Sequence, residues 1–347
     1  MPKETTFPVG KLPPDLLSAL LQRVPILDPR ILLGPGLGID CAVLDLGDRA
    51  LVLKSDPITF ASEEIGWYAV QVNANDIATT GAVPRWMLVT MLLPEGHTTP
   101  EMVERISAQL FDACQSIGVS LIGGHTEITH GLKRPILSAT MIGEVEPARL
   151  VTPAGAQTGD CILLTKGVPI EATAILAREF PDRITDGSHP LHLDEDELRQ
   201  AINFLHQPGI SVLNDAQIAV QAGRIHAMHD PTEGGLWTAL WELAHACGHS
   251  LSVDLERVHI PAISDRICQI LDINPLAAIA SGALLMATDA RDVHTICAEL
   301  ESNQIQCSQI GTVLDSNHKP QVWQVTSDHQ ELLPYPTRDE IARLYET

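Results

Sequence analysis

Two short apolar runs, Ala42 to Leu46 and Leu51 to Leu53, flank Gly47-Asp48 and predict a hairpin of strands. From Ile65 the apolar residues recur at helical spacing as far as Thr80. Gly81 follows and Pro84 lies beyond, which are the stop signals of a helix. A strand over 86–93, a helix opened by Thr99-Pro100 and running to Ile117, a strand over 119–122 and a long apolar strand over 136–145 complete a first α/β series. Between Glu146 and Asp160 the chain turns to Pro, Ala, Gly and Thr, then restarts with a buried-type strand over 161–165. This break predicts two domains, 1–150 and 151–347. The second series has helices near 170–179, 195–205, 212–222, 234–247 and 291–301, and strands near 225–228, 250–254, 283–287 and 308–313. The polar stretch from Asp182 to Glu197 reads as a surface loop or insertion. The fold class is therefore α/β, without repeats of fixed period. Strands 42–46, 86–93 and 136–145 look apolar on both faces, so we expect a homodimer joined through the N-terminal sheet.

Composition narrows the function classes. The 347 residues are 45% hydrophobic and 19% charged, and with only 5 Phe, 5 Trp and 3 Tyr the core must be mostly aliphatic. A formal net charge of −22 with no basic cluster excludes a nucleic-acid or anionic-membrane partner. The start, Met1-Pro2-Lys3-Glu4, has no apolar leader, and the apolar stretch from Leu276 to Ala287 is too short to span a bilayer, so a cytoplasmic protein is expected. Seven cysteines without a C-x-x-C pair argue against a disulfide framework or zinc ribbon.

No P-loop, dinucleotide fingerprint, G-x-S-x-G or H-E-x-x-H is present: Gly36-x-Gly38 runs into Asp40-Cys41 where a third glycine would be needed. What remains is a set of carboxylates beside glycines and strand ends: Asp40, Asp56, Asp76 and Asp230. Such hard oxygen ligands converging on one cleft would repel unless a divalent cation such as Mg²⁺ neutralised them, and Mg²⁺ shares its shell with phosphate oxygens. Asn73 and Asp76, three apart, share a helix face. Asp40 and Asp56 also suit hairpin turns, Asp230 or Thr232 also suits a helix cap, and His125 and Glu127 also suit a solvated loop after a strand. His245-Ala246-Cys247-Gly248-His249 lacks a fourth ligand nearby, and we read it, like His226 and His229, as structural.

The segments GPGLGIDCAVL (34–44), SDP (55–57), VNANDIATTGAVP (72–84), IGGHTE (122–127), the run Gly159 to Gly167, HDPTEGGL (229–236), ASGALL (280–285) and IGTV (310–313) resemble, in order, the aminoimidazole ribonucleotide synthetase superfamily. That family includes the purine enzyme, HypE-type hydrogenase maturation proteins, thiamine-monophosphate kinase and selenophosphate synthetase. The resemblance implies a PurM-like fold: an N-terminal ATP-binding domain that dimerises through its sheet, a C-terminal α/β domain, and ATP with Mg²⁺ between them. It assigns Asp40, Asp56 and Asp76 to the metal, and Gly36, Gly38, Lys54, Asn73, Gly123, Gly124 and Thr126 to the nucleotide. His125, Glu127 and Asp230 are its candidate catalytic residues. Ile39 stands where many members have the first of two adjacent aspartates. The terminal cysteine of HypE-type proteins is not found in Arg343-Leu344-Tyr345-Glu346-Thr347, so carbamoyl transfer to such a cysteine is not expected. The shared chemistry is attack of an oxygen nucleophile on an ATP phosphate. We expect activation of a small or protein-bound amide-, formyl- or carboxyl-type substrate. The alternatives are a lapsed, dimeric ATP-binding scaffold and a kinase of the thiamine-monophosphate type.

Overall fold

Alternation of buried and half-buried positions turns the N-terminal half into a six-stranded sheet with its two long helices on one face. The structure is a computed structural model that describes residues 7, 12–36, 38–59, 63–315, 319–326, 329–336 and 338–345; Met1 to Glu4, Leu37 of the glycine loop and Glu346–Thr347 lie outside them. The elements are α1 (Pro14–Leu21), β1 (Ile31–Leu33), β2 (Ala42–Asp45), β3 (Ala50–Ile58), α2 (Ile65–Thr79), β4 (Val83–Pro94), α3 (Pro100–Ser116), β5 (Ser120–Thr129) and β6 (Ile136–Val145). Strand order is β1-β2-β3-β6-β4-β5; every pairing is antiparallel except β4 with β5. α3 turns Ile106, Leu110, Ala113 and Cys114 inward, and its Thr99 cap accepts from the Met102 N–H at 3.2 Å. α2 is buried nearly all round because it lies between the sheet and the C-terminal half.

The C-terminal half comprises β7 (Cys161–Thr165), α4 (Ile170–Glu179), α5 (Pro181–Ile184), α6 (Glu195–Ile202), α7 (Leu213–Ala222), β8 (Ile225–His229), α8 (Gly235–Cys247), β9 (Ser250–Val253), α9 (Ala262–Leu271), β10 (Leu285–Thr288), α10 (Val293–Ser302), β11 (Cys307–Leu314), β12 (Val322–Val325) and β13 (Gln330–Leu332). Its seven-stranded sheet runs β13-β12-β9-β11-β7-β10-β8. The halves are tied at α2: Asn75 Nδ2 donates to Ile210 O at 2.7 Å and its Oδ1 accepts from Val212 N–H at 2.9 Å.

Several expectations are corrected. The strand read over 119–122 continues to Thr129, because the 12-residue β4 offers parallel partners up to Pro94 opposite Thr129. Gly124, at φ +149°, lies so close to β4 that a Cβ would sit 1.8 Å from the Val89 carbonyl oxygen. His125 and Glu127 are thus within a sheet-edge strand, not in a loop after one. Helices α1 and α9 and strands β1, β12 and β13 had no counterpart in the sequence reading. The polar stretch 182–197 is not only loop: α5 ends in it, α6 begins in it with an Asp194–Glu197 capping box, and Ile184 and Leu193 anchor it in the core. Asp56 lies inside β3 rather than in a turn; the hairpin turn is served by Asp45, whose Oδ1 accepts from Gly47 N–H at 2.8 Å. Nor are the N-terminal strands apolar on both faces. Away from the helices, Leu53, Trp86, Leu88 and Ile142 are interleaved with Ser55, Thr90, Ser138 and Thr140.

Candidate functional site

The site grows from three backbone segments that end beside one another. β3 carries Lys54 and Asp56, α2 presents Asp76 one turn beyond Val72, and β8 delivers His229 and Asp230 from the other half. Asp40, just before β2, closes the group. Together with Val72 and Thr232 these residues line a cavity of about 140 Å³. The buried Lys54 ammonium lies 3.1 Å from Asp76 Oδ2, 3.2 Å from Asp56 Oδ2 and 3.6 Å from Asp40 Oδ1.

Asn73 does not face the cavity. Its Oδ1 accepts from the Asp56 N–H at 3.0 Å and its Nδ2 donates to Ala69 O at 2.9 Å, so it holds β3 against α2. The assignment of Asn73 to the nucleotide is corrected to that of a positioning residue. His229 is corrected in the opposite sense, from structural to part of the site. Its Nε2 is 2.7 Å from Glu242 Oε2 and its Nδ1 3.9 Å from Asp40 Oδ2. Sequence reasoning missed Glu242, which lies outside the motifs on α8; the one signal was its position two turns into the helix that HDPTEGGL opens. His226 keeps its structural role, with Nδ1 2.8 Å from Asp160 Oδ2. Neither Asp230 nor Thr232 caps α8. Gly234, at φ +77°, occupies that position, and its N–H donates to Asp339 Oδ2 at 2.6 Å.

The electrostatics follow from four aspartates facing one lysine and one histidine. Burial raises the Asp76 carboxyl well above the ordinary range, and Asp230 adds to this while Lys54 opposes it. Burial lifts Asp230 to about 7 against the pull of His229. Burial disfavours charge on Lys54 and His229 as well, yet the carboxylates win: Lys54 is raised, and His229, bonded to Glu242, is lifted to about 9. The pocket thus crowds four carboxyl groups around one ammonium and one imidazolium, and its two buried carboxyls hold their protons more tightly than free ones. Its all-oxygen acceptor set fits a hard divalent cation.

The glycine loop leads directly into Asp40, and Gly38, at φ +70°, has open space where a side chain would be. The GGHTE strand is elsewhere. β5 is separated from β3 by β6 and β4, which at roughly 4.8 Å per strand is about 14 Å. Gly123, Gly124 and Thr126 are exposed, as are His125 and Glu127, whose 3.4 Å contact is with each other. Within one chain these five residues are not brought to the aspartates.

Fold and site define a two-part α/β protein whose acidic cavity lies at the junction of its halves. The chain belongs to the AIR synthase related proteins: the N-terminal domain of that family matches residues 38–145 and its C-terminal domain residues 157–323. It is similar to the carbamoyl dehydratase HypE of Cupriavidus necator, 28% identical over 267 residues that span 75% of this chain and 70% of that one. It is also similar to the selenide, water dikinase of Paraburkholderia xenovorans, 28% identical over 261 residues, 74% of this chain and 68% of that one. Among solved structures, the hydrogenase maturation protein HypE in complex with ATP shares the fold with a TM-score of 0.68 at 23% identity, over 92% of this chain and 90% of that one.

Proposed function

We propose that the protein is an ATP- and Mg²⁺-dependent enzyme that activates an oxygen of a small or protein-bound amide-, formyl- or carboxyl-type substrate by phosphate transfer. The observation that carries this reading is the convergence of Asp40, Asp56, Asp76 and Asp230, from both halves, on one cavity that holds a single ammonium and a single imidazole. Asp40, Asp56 and Asp76 are the groups to hold Mg²⁺, which when bound offsets charge on the phosphate oxygens. Lys54 is the fixed cation beside them, and the N–H groups around Gly36 and Gly38 suit a phosphate. Asp230, near 7, holds or releases a proton at neutral pH, and the His229 imidazolium, fixed by Glu242, offsets negative charge at the other wall. The relatives named as a carbamoyl dehydratase and a selenide, water dikinase, and the HypE structure in complex with ATP, favour the same chemistry.

We place His125 and Glu127 at this site only through a second copy. α2 and α3 cover one face of the N-terminal sheet, and the other carries Leu88, 38% exposed, with Ile122 of β5 exposed beside it. A homodimer through that face would cover it. Seven free cysteines suit a reducing cytoplasm; among the described residues no helix is long and apolar enough to cross a membrane. Calorimetric titration with ATP, with and without Mg²⁺, tests the proposal: binding should require Mg²⁺, and absence of heat at millimolar nucleotide would refute it. A single-chain mass by light scattering at micromolar protein would remove the dimer.

A further inference from the structure

Two of the seven cysteines face each other in the C-terminal half, away from the aspartate cavity. Cys297 lies on α10 and Cys307 opens β11, and their sulfurs are 3.5 Å apart, joined by a thiol hydrogen bond. They are held there by the local fold. After α10 the chain turns at Gln304, φ +64°, and the Ile305 N–H donates back to Leu300 O at 2.9 Å, which sets the start of β11 against the helix. Both cysteines pack in the cluster that contains Ile296 and Leu300, Cys307 buried and Cys297 partly exposed. Their surroundings separate their roles. A hydrogen bond from the Cys307 S–H to a Cys297 thiolate holds the Cys297 thiol below its ordinary range, against burial and the Glu301 carboxylate; the same bond, with burial, pushes Cys307 up. The accessible sulfur is the one that sheds its proton, and the buried one keeps it. Cys247 provides a comparison within the molecule. It is also partly exposed, but its Sγ meets the Ala244 carbonyl oxygen at 3.6 Å and burial raises its thiol. Among the described residues no group of three or more His, Cys, Asp or Glu is arranged to hold a metal ion, so the pair is not part of a zinc centre.

We propose that Cys297 and Cys307 form a peroxide-reactive dithiol: a hydroperoxide oxidises the Cys297 sulfur, and Cys307 resolves the product to a reversible disulfide. The Cys297 thiolate attacks the terminal oxygen of the hydroperoxide and becomes a sulfenic acid. The O–O bond breaks, and the departing oxygen leaves with its electron pair and takes up the proton that Cys297 had shed. The Cys307 sulfur then forms the S–S bond by displacing the sulfenic hydroxyl, which leaves as water with the Cys307 proton. In sum two thiols lose two electrons and two protons, and the hydroperoxide is reduced to an alcohol and water, or to two waters when it is hydrogen peroxide. The S–S bond is about 2.05 Å long, so the sulfurs must close by about 1.5 Å from the 3.5 Å they now keep, a distance that side-chain torsions can supply. A partly covered sulfur also admits a small hydroperoxide more readily than a bulky disulfide oxidant such as glutathione disulfide.

Treatment of the whole reduced protein with a small molar excess of hydrogen peroxide, followed by blocking of free thiols, digestion after glutamate and mass spectrometry, tests this. Cleavage after Glu299 and Glu301 separates the two cysteines, so their peptides stay joined only through the disulfide. The joined peptides should appear at least about tenfold faster than any oxidation of Cys247, and a thiol reductant should part them. In Cys307→Ser the reaction should stop at a Cys297 sulfenic acid that dimedone captures, and in Cys297→Ser the Cys307 thiol should stay reduced. Oxidation of Cys247 as fast as Cys297, or a Cys297 that stops at the sulfenic acid with Cys307 present, would overturn the proposal. Should the variants fail to fold, the peptide map of the wild type decides it.

Discussion

The aspartate cavity and the GGHTE strand are both built from short glycine-bearing motifs, yet one is complete within the chain and the other is not. At the cavity, Lys54 is surrounded by three carboxylates, Asn73 fixes the Asp56 backbone, and Glu242 fixes His229. Lys54, Asp40, Asp56, Asp76, His229 and Glu242 each lie within 3.9 Å of an opposite charge. On β5, His125 is 64% and Glu127 51% exposed, and they contact each other in solvent, an arrangement that holds neither in a reactive geometry. Preorganisation therefore separates the two regions more sharply than residue type does. The cavity can bind charge as it stands, whereas the strand needs a surface laid against it.

The largest effect is expected where the cavity is broken. Asp76→Asn removes the most buried of the three carboxylates around Lys54, so Mg²⁺-dependent ATP binding should weaken by at least about 100-fold, read by calorimetry. A variant that binds Mg²⁺-ATP like the wild type would remove Asp76 from the metal set. The same variant sharpens the comparison when mixed with His125→Ala. If β5 of one copy serves the cavity of the other, each mixed dimer keeps one intact site, and random exchange should restore about one quarter of wild-type ADP release. No restoration would confine His125 and Glu127 to a role outside the site.

How far each region could be read from sequence follows the same division. Asp40, Asp56, Asp76 and Asp230 stand out in the sequence as carboxylates beside glycines and strand ends, and the fold brings all four to the lining of one cavity. Lys54 was placed at the site by resemblance, but its role as the hub of three carboxylates was not visible from an alternating strand. Glu242 carried only the weak signal of its place in the helix after HDPTEGGL: a glutamate on a helix is ordinarily a solvated residue, and only the fold brings it to His229. His229 was misread because a strand-end histidine, taken with its sequence neighbours, has no co-ligand, whereas its partners lie 13 residues on, in α8, and at Asp40. The extension of β5 was missed since glycines read as strand breakers, and here they permit close approach to β4. The short strands β12 and β13 carry little periodicity, and tertiary pairing fixes them.

A smaller effect tests the crowding of carboxyls in the cavity. Asp230 has its folded value raised from 3.8 to about 7, so its contribution to stability is present below about pH 4 and is lost as pH rises through about 7. His229 is raised from 6.5 to about 9, so its contribution holds below about 6.5 and fades only as pH passes about 9. Between pH 5 and 8 the aspartate dominates. Asp230→Asn should therefore stabilise the metal-free protein at pH 8 by on the order of 1–3 kcal/mol, with little gain at pH 4. Added Mg²⁺ should stabilise the wild type and narrow the difference. Equal melting temperatures of wild type and variant across this range would show that the cavity is not overcharged.

The smallest effect belongs to a cluster that resembles a metal site without the supporting contacts that the cavity has. His245 Nδ1 lies 2.9 Å from Trp241 O, as expected of a side chain turned back on its own helix, and Cys247 Sγ approaches Ala244 O at 3.6 Å. Among the described residues no group of three or more His, Cys, Asp or Glu is arranged to hold a metal ion. Three residues over five positions at a helix end and the turn after it point in directions set by that turn, not toward a common centre. His245→Ala should change stability by less than about 1 kcal/mol and leave both bound-metal content and Mg²⁺-ATP affinity as in the wild type. Zinc recovered in stoichiometric amount from the wild type, and lost in this variant, would show that the turn at Gly248 closes more tightly than the structure has it, and would place a second metal in the C-terminal half.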